Sequence, residues 1–413
     1  MSVKNNKGVA ILLAIFTTTI ILYLVMEVTY QTNVEYVINA NSINRLKAYY
    51  AAKAGVEFSL LRIKIYQKVN QQFGSQIPAA QKKLLDLIWS FPFAWPPIMP
   101  SEISSVDKDL INKSVKESKL EGSFRTDIFD EGSKIDINDL DSPSQVIREN
   151  TQKLLLGLFE SKKENDEKWA KTHDEAEYKK LINNIIDWED KDQTGLNGGD
   201  ERSLYEEMHR KYETDVSLPP NRGFRTVDEL RLVAGMTEEY FNLLKNNITI
   251  YGMKAINPNY ASQDVIKSLD ASITNEVVTE VMKHRDPMSG TPFTNAQEFW
   301  DFLFQKGARI DMTKQQQVPL IFDKVNNFKI RSVGDFAGQT REIELVVFDF
   351  SSVAGAVAQN LKSEWDQKNN PNANNNNTTN KNAATANIGK NNNNAKADPI
   401  PKGPPRIVYY YER

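Results

Sequence analysis

The first apolar block of the chain runs from Val9 to Met26, 18 residues without a formal charge. At about 1.5 Å per residue a helix of that length reaches ~27 Å, close to the hydrocarbon thickness of a bilayer. The pattern then changes without breaking. Ile43, Leu46, Tyr50, Ala54, Phe58, Leu61 and Ile65 recur every three or four residues, and the first proline is Pro78. That spacing is helical and nothing interrupts it, so one long helix is predicted, membrane-embedded in its first half and amphipathic in its second. The prolines of "FPFAWPPIMP" end it, and residues 78–100 read as an irregular connection packed by Trp89, Phe91, Phe93 and Trp95.

Residues 118–140, "SKLEGSFRTDIFDEGSKIDINDL", alternate apolar and polar positions around Gly122 and Gly132, the pattern of hairpin strands. From about 145 to 320 the period becomes helical and the composition charge-rich. Helices are expected near 144–160, 174–188, 202–212, 226–234, 237–246, 261–269, 273–284 and 295–305. Strand character returns in "FKIRSVGDF" (328–336), "REIELVVFDFS" (341–351) and the final "RIVYYYER". Between the last two strands lies an Asn-rich tract that cannot bury enough apolar surface to offset its ordering entropy. It is expected to be a disordered loop between paired strands, which costs little because closure entropy grows only with the logarithm of length. The fold class expected is α+β: a transmembrane and spine helix with an antiparallel sheet, interrupted by a large all-α domain.

Composition narrows the functions open to such a chain. At 413 residues it should form two or more packed units. A net charge of −3 with both signs well mixed gives no general basis for holding a polyanion. The absence of cysteine excludes disulfides and thiolate chemistry, and three scattered histidines do not suggest a zinc site. There is no P-loop, no G-x-S-x-G, no H-E-x-x-H and no Ser/His/Asp set with a motif around it, so no enzyme is expected. Lys4 and Lys7 precede the apolar block and favour a cytoplasmic N-terminus, placing the bulk beyond the membrane. A signal peptide would close with small residues at a cleavage site. Here the run continues into Glu27, Val28, Thr29 and Tyr30, so the span should be retained.

The sharpest chemical signal is "DKDQTGLNGGDE", residues 190–201. With Asp190 first, Asp192 stands third, Thr194 fifth, Gly195 sixth, Leu196 seventh and Glu201 twelfth. That is the spacing of an EF-hand calcium loop at every key place except the fifth, where Asp or Asn is usual. Calcium takes six to eight oxygens, supplied by clustered carboxylates and the seventh residue's main-chain carbonyl, and glycine at the sixth position permits the sharp turn. The candidate ligands are Asp187, Asp190, Asp192, Thr194, Leu196, Asp200 and Glu201. "YKKLINNIIDW" leads in and "RSLYEEMHRKY" leads out, both with helical period. Asn197 departs from the pattern, since that position usually carries an apolar residue joining paired EF-hands; a lone site is expected. The alternative is a solvated Asp/Gly turn.

Residues 218–252 hold two short helical segments around Ala234 and Gly235, and weaker echoes follow in 256–286 and 291–303. These look like helix-hairpin-helix (SAM-like) units, which elsewhere can bind DNA phosphates through main-chain amides. Between Phe224 and Ile250, however, three cations face four carboxylates, so nucleic acid is not expected.

A short basic leader ending in Gly8, then an apolar helix that continues as an amphipathic spine, resembles the type IV pilin and pseudopilin N-terminus. In that family a prepilin peptidase cuts after the glycine, here Gly8, and the new N-terminus, here Val9, is methylated. Most members carry glutamate at the fifth mature position, where this chain has Leu13. The minor pseudopilin K family of type II secretion systems lacks it in the same way. "LKAYYAAKAGVEFSLLRI" (46–63), "GSKIDINDL" (132–140) and "LPPNRGFRTVDELRLVAGMTEEYFNLL" (218–244) are also similar to that family.

The resemblance implies a leader at 1–8, a transmembrane segment at 9–26, pilin-like helix and strands at 27–143, and an inserted all-α domain at 144–325. Pilin-like strands follow at 326–361 and 399–413, around a disordered loop at 362–398. It implies a single-pass inner-membrane protein with its bulk in the periplasm, a calcium ion in the helical domain, and hetero-oligomeric assembly with I- and J-type minor pseudopilins and inner-membrane secretion components. Such a subunit would sit at the pseudopilus tip and prime assembly. Two other readings stay open: a calcium-stabilised envelope adhesin or scaffold, and a membrane-tethered DNA receptor.

Overall fold

The computed structural model describes residues 7–74, 76–78, 81, 83–99, 104–206, 218–286, 289–322, 325–350, 361, 362, 365 and 406–413. The leader before Lys7, the expected helix beyond Glu206 and, apart from residues 362 and 365, the Asn-rich stretch lie outside them.

One helix, α1, runs unbroken from Lys7 to Phe73. It contains one segment long and apolar enough to cross a membrane, exposed over its whole length. Where the helix meets the body, Ala48, Ala51, Ala52, Val56, Ser59, Ile63 and Tyr66 are buried. The period matches the sequence reading, but the face does not: Ile43, Leu46, Tyr50, Leu61 and Ile65 are exposed. Backbone proximity decides this. A Cβ on Gly334 would strike the Ala52 nitrogen and the Ala48 carbonyl oxygen, and one on Gly55 would strike Ser332. Small residues let helix and sheet close up, and the larger apolar residues are left outside.

The connection after α1 is more regular than expected. It forms a short helix α2 (Leu87–Ser90), strand β1 (Phe93–Trp95) and helix α3 (Ser105–Glu117). Trp89 joins the core, whereas Phe91 is exposed. Strand β2 (Ser123–Asp130) follows, then β3 (Ile135–Asp136). The hairpin expected across 118–140 does not form, because β3 leaves the sheet and pairs in parallel with β4 (Ile248–Thr249).

The helical region carries α4 (Gln145–Asn165), α5 (Glu167–Thr172), α6 (Glu175–Glu189), α7 (Glu238–Leu244), α8 (Gln263–Lys267), α9 (Asn275–His284), α10 (Ala296–Gln305) and α11 (Met312–Gln317). Caps set several boundaries: Asp174 and Glu177 form a capping box on α6, and Ser144, Ser262, Thr274 and Asn295 cap α4, α8, α9 and α10. The segments expected as helices at 202–212 and 226–234 are instead short 3-10 helices, Glu201–Tyr205 and Val227–Leu232, where described. A core around Leu155, Phe159, Tyr178, Trp188, Phe224, Leu230, Phe293 and Phe299 holds this region together.

Strands β5 (Phe328–Phe336), β6 (Gln339–Phe348) and β7 (Arg406–Glu412) complete an antiparallel sheet ordered β1-β2-β5-β6-β7. Its inner face meets α1 in a second core, with Ala52, Val56, Ile63 and Tyr66 against Ile128, Phe328, Ile330, Ile343 and Leu345. Asp130 is in register with Phe328, so everything from 131 to 327 leaves and returns through one narrow neck. The Glu131 amide donates to the Asn327 carbonyl at 3.0 Å, and the Asn327 side chain donates to Tyr251 O at 2.8 Å and accepts from the Asp349 amide at 3.0 Å. A further tie joins the spine connection to the helices, where the Tyr260 hydroxyl donates to Asp86 at 2.6 Å.

Candidate metal centre

Helix α6 ends at the acidic loop, and its last turn aims two carboxylates, Asp187 and Glu189, into the protein. Trp188 between them stacks on Phe224 at 5.7 Å and contacts Tyr205 at 6.0 Å, which fixes the rotation of that turn. The loop folds back on itself: Gly198 N donates to Gly195 O at 2.7 Å, Gly195 N donates to Gly199 O at 3.0 Å, and Thr194 bridges Asp200. Gly198 and Gly199 both have φ of 90°, a region open to glycine and strained for other residues. The chain then enters the 3-10 turn that carries Glu201.

This geometry brings three of the seven candidate ligands together. Asp187, Asp190 and Glu201 each present an oxygen within 4.8 Å of the others. Asp187 and Glu201 are almost fully buried. Asp190 Oδ1 and both Glu201 oxygens lack a hydrogen-bond partner within the protein. Orphaned buried carboxylate oxygens are costly, and a hard cation is the group that would satisfy three at once. The donor set is all oxygen, which fits calcium or magnesium and not a thiolate-seeking metal. Gly195 lies beside the cluster, where a Cβ would be in ordinary contact with Asp187 Oδ2 at 3.5 Å.

The other candidates are engaged in shaping the loop. Asp192 Oδ1 accepts from the Thr194 amide at 2.7 Å, and Asp200 Oδ1 caps the 3-10 turn by accepting from the Arg202 amide at 3.0 Å. The Leu196 amide donates to both Asp187 oxygens at 3.1 Å. Thr194 enters through its main-chain bridge to Asp200.

Electrostatics agree with a cluster poised for positive charge. Burial, reinforced by Asp190, Asp187, Asp192 and Asp200, pushes the Glu201 carboxyl up to about 7. Asp187 and Asp190 are raised for the same reasons, burial first and neighbouring carboxylates next. Glu189 was not singled out by the sequence. It is 1% exposed, both its oxygens are without partners, and burial beside Asp136, Asp141 and Asp139 pushes it up to about 9. One nearby cation tempers that second group: Lys254 Nζ lies 2.7 Å from Asp136 and 2.6 Å from Asp139. Alternation could not have revealed Glu189, because it follows Trp188 in a helix and faces residues more than forty positions upstream.

In the segment at 218–252 two of the cations lie against carboxylates. Arg231 is paired with Asp228 and, at 2.9 Å, with Glu238, and Arg222 with Glu229 at 3.2 Å.

Residues 133–253, which contain the whole acidic cluster, match the family model described as type II secretion system (T2SS), protein K. That stretch carries the protein K pattern. The likeness to the K family read from the sequence is therefore borne out over this segment. Among solved structures, the GspK-GspI-GspJ complex from the type 2 secretion system of enterotoxigenic Escherichia coli holds a similar chain. It is 16% identical, with a TM-score of 0.43 over 56% of this chain and 77% of that one. No curated protein matches the chain.

Proposed function

We propose that this chain is a K-type minor pseudopilin of a type II secretion system, a structural subunit and not an enzyme. The observation that carries the reading is the protein K match over residues 133–253. It is supported by the uninterrupted helix from Lys7 to Phe73, whose apolar first half is fully exposed and whose second half is the spine of an antiparallel sheet. In this reading a prepilin peptidase cuts after Gly8 and Val9 becomes the methylated N-terminus. The bulk of the chain is periplasmic and α1 anchors it in the inner membrane.

Its partners are the I- and J-type minor pseudopilins, and its place is the pseudopilus tip. Two features favour a terminal position. The helical region inserted at the neck would obstruct a subunit stacked above it. Leu13, 60% exposed, offers no carboxylate to pair with a neighbour's N-terminus. Asp187, Asp190 and Glu201 hold one calcium ion, with Asp192, Thr194, Leu196 and Asp200 completing or shaping the loop. Calcium there supplies positive charge to buried carboxylates and so ties the end of α6 to the turn after the loop.

Mass spectrometry of the chain recovered from a host that expresses the prepilin peptidase tests this. A mature protein beginning at N-methylated Val9 is the expected result, and an intact leader through Gly8 would remove the pseudopilin reading in favour of an anchored envelope scaffold.

A further inference from the structure

Asn197 and Gly198 form the single Asn-Gly step in the sequence, at the tip of the acidic loop. We propose that Asn197 is a latent deamidation site whose side-chain amide latches the loop onto helix α6, so that opening the latch exposes it to irreversible loss. The chemistry needs only water. The Gly198 backbone nitrogen bonds to Cγ of Asn197, and the side-chain amide departs as ammonia with the proton that nitrogen gives up. Water then opens the succinimide ring at either carbonyl, leaving aspartate or isoaspartate. Glycine as the second residue favours the attack, having no side chain to shield its nitrogen and the widest range of backbone angles.

In the folded chain both reacting groups are held. Asn197 Oδ1 accepts from Asn183 Nδ2 at 2.9 Å, while its Nδ2 donates to the Lys180 carbonyl at 2.9 Å and to Asn184 Oδ1 at 2.8 Å. The Gly198 N–H donates to Gly195 O at 2.7 Å. The latch also reaches further, since Asn184 Nδ2 donates to Ala234 O at 2.8 Å and the Ala234 amide donates to the Tyr205 hydroxyl at 3.3 Å. Here an amide does the docking that an apolar residue does in paired EF-hands. The product acid cannot donate to Lys180 O or Asn184 Oδ1, and it adds a negative charge to a loop that already holds Asp187, Asp190, Asp192 and Asp200. Conversion is therefore a one-way unlatching, whichever cation the loop takes.

The test follows isoaspartate by peptide mapping while the full chain is incubated in detergent at mildly alkaline pH. Asn183→Ala removes one latch bond from a helical site where alanine is well tolerated. Native Asn183→Ala should convert about fivefold faster than native wild type, the ratio one ordinary hydrogen bond supplies, and the two should convert equally in urea. Equal native rates, or no conversion in urea, would overturn the proposal. Should Asn183→Ala not fold, wild type alone decides, because a native rate within twofold of the urea rate also overturns it. Asn197→Asp, the product made directly, should melt below wild type, and an unchanged melting temperature would show that the amide latches nothing.

Discussion

The proposed calcium site predicts that the cation-free chain is destabilised in a pH-dependent way, with Glu201 as the reporter within the loop. Its carboxyl stands at about 7 in the folded chain against an ordinary value of 4.5. A raised carboxyl contributes fully below the unfolded value and loses its contribution as pH climbs through the folded value, so the cation-free chain should weaken between about pH 5 and pH 8. At ~1.4 kcal/mol per pH unit, that shift costs ~3 kcal/mol at pH 8 before screening. Water reaching the exposed side of the loop reduces it to ~1–2 kcal/mol. For a helical region of this size the melting temperature should fall by ~3–6 °C over that interval. The assay is thermal unfolding in chelator and in excess calcium at both pH values, on wild type and Glu201→Gln. The variant should show a shallower pH slope than wild type, with the remainder coming from Glu189, Asp187 and Asp190, should melt above wild type in chelator at pH 8, and should gain nothing from calcium. Wild type insensitive to calcium at pH 8, or a variant with an undiminished slope, would refute the reasoning.

Two further perturbations probe the frame around the site. Gly334→Ala puts a methyl group against the Ala48 and Ala52 backbone, so α1 must lift from β5; a loss of ~3 kcal/mol or more is expected in urea unfolding, with the helical region retaining its circular dichroism. Lys254→Met removes the cation that Asp136 and Asp139 share and leaves them buried beside Glu189. The expected cost is ~3–5 kcal/mol at pH 8 and less at pH 5, where Asp139, pushed up to about 7 by burial and by Asp136, takes up a proton; a pH-independent loss would show that the ammonium acts by packing alone.

Much of the site was legible because its signal is local. The loop's ligand spacing and the helical periods on either side can be read within thirty residues, and the structure brings Asp187, Asp190 and Glu201 together. Glu189 was not legible, since the carboxylates beside it, Asp136, Asp139 and Asp141, come from the end of β3 and the turn after it, far away in sequence. The same limit explains β1 and α3. A three-residue edge strand between prolines and a helix with no buried residue leave almost no periodic trace.

Taken alone, the sequence determined the continuity of α1, the return of strands near 328 and 341, and the chemical character of the 190–201 loop, each being a property of neighbouring residues. Tertiary structure decided which partner each element met. It turned the small-residue face of α1 to the sheet and left Ile43, Leu46 and Tyr50 outside, because contact with Gly334 rewards close approach over side-chain size. It drew Ile135 and Asp136 away from a hairpin into parallel pairing with Ile248 and Thr249. Periodicity states that a face exists, and burial, a sum over distant segments, selects what covers it.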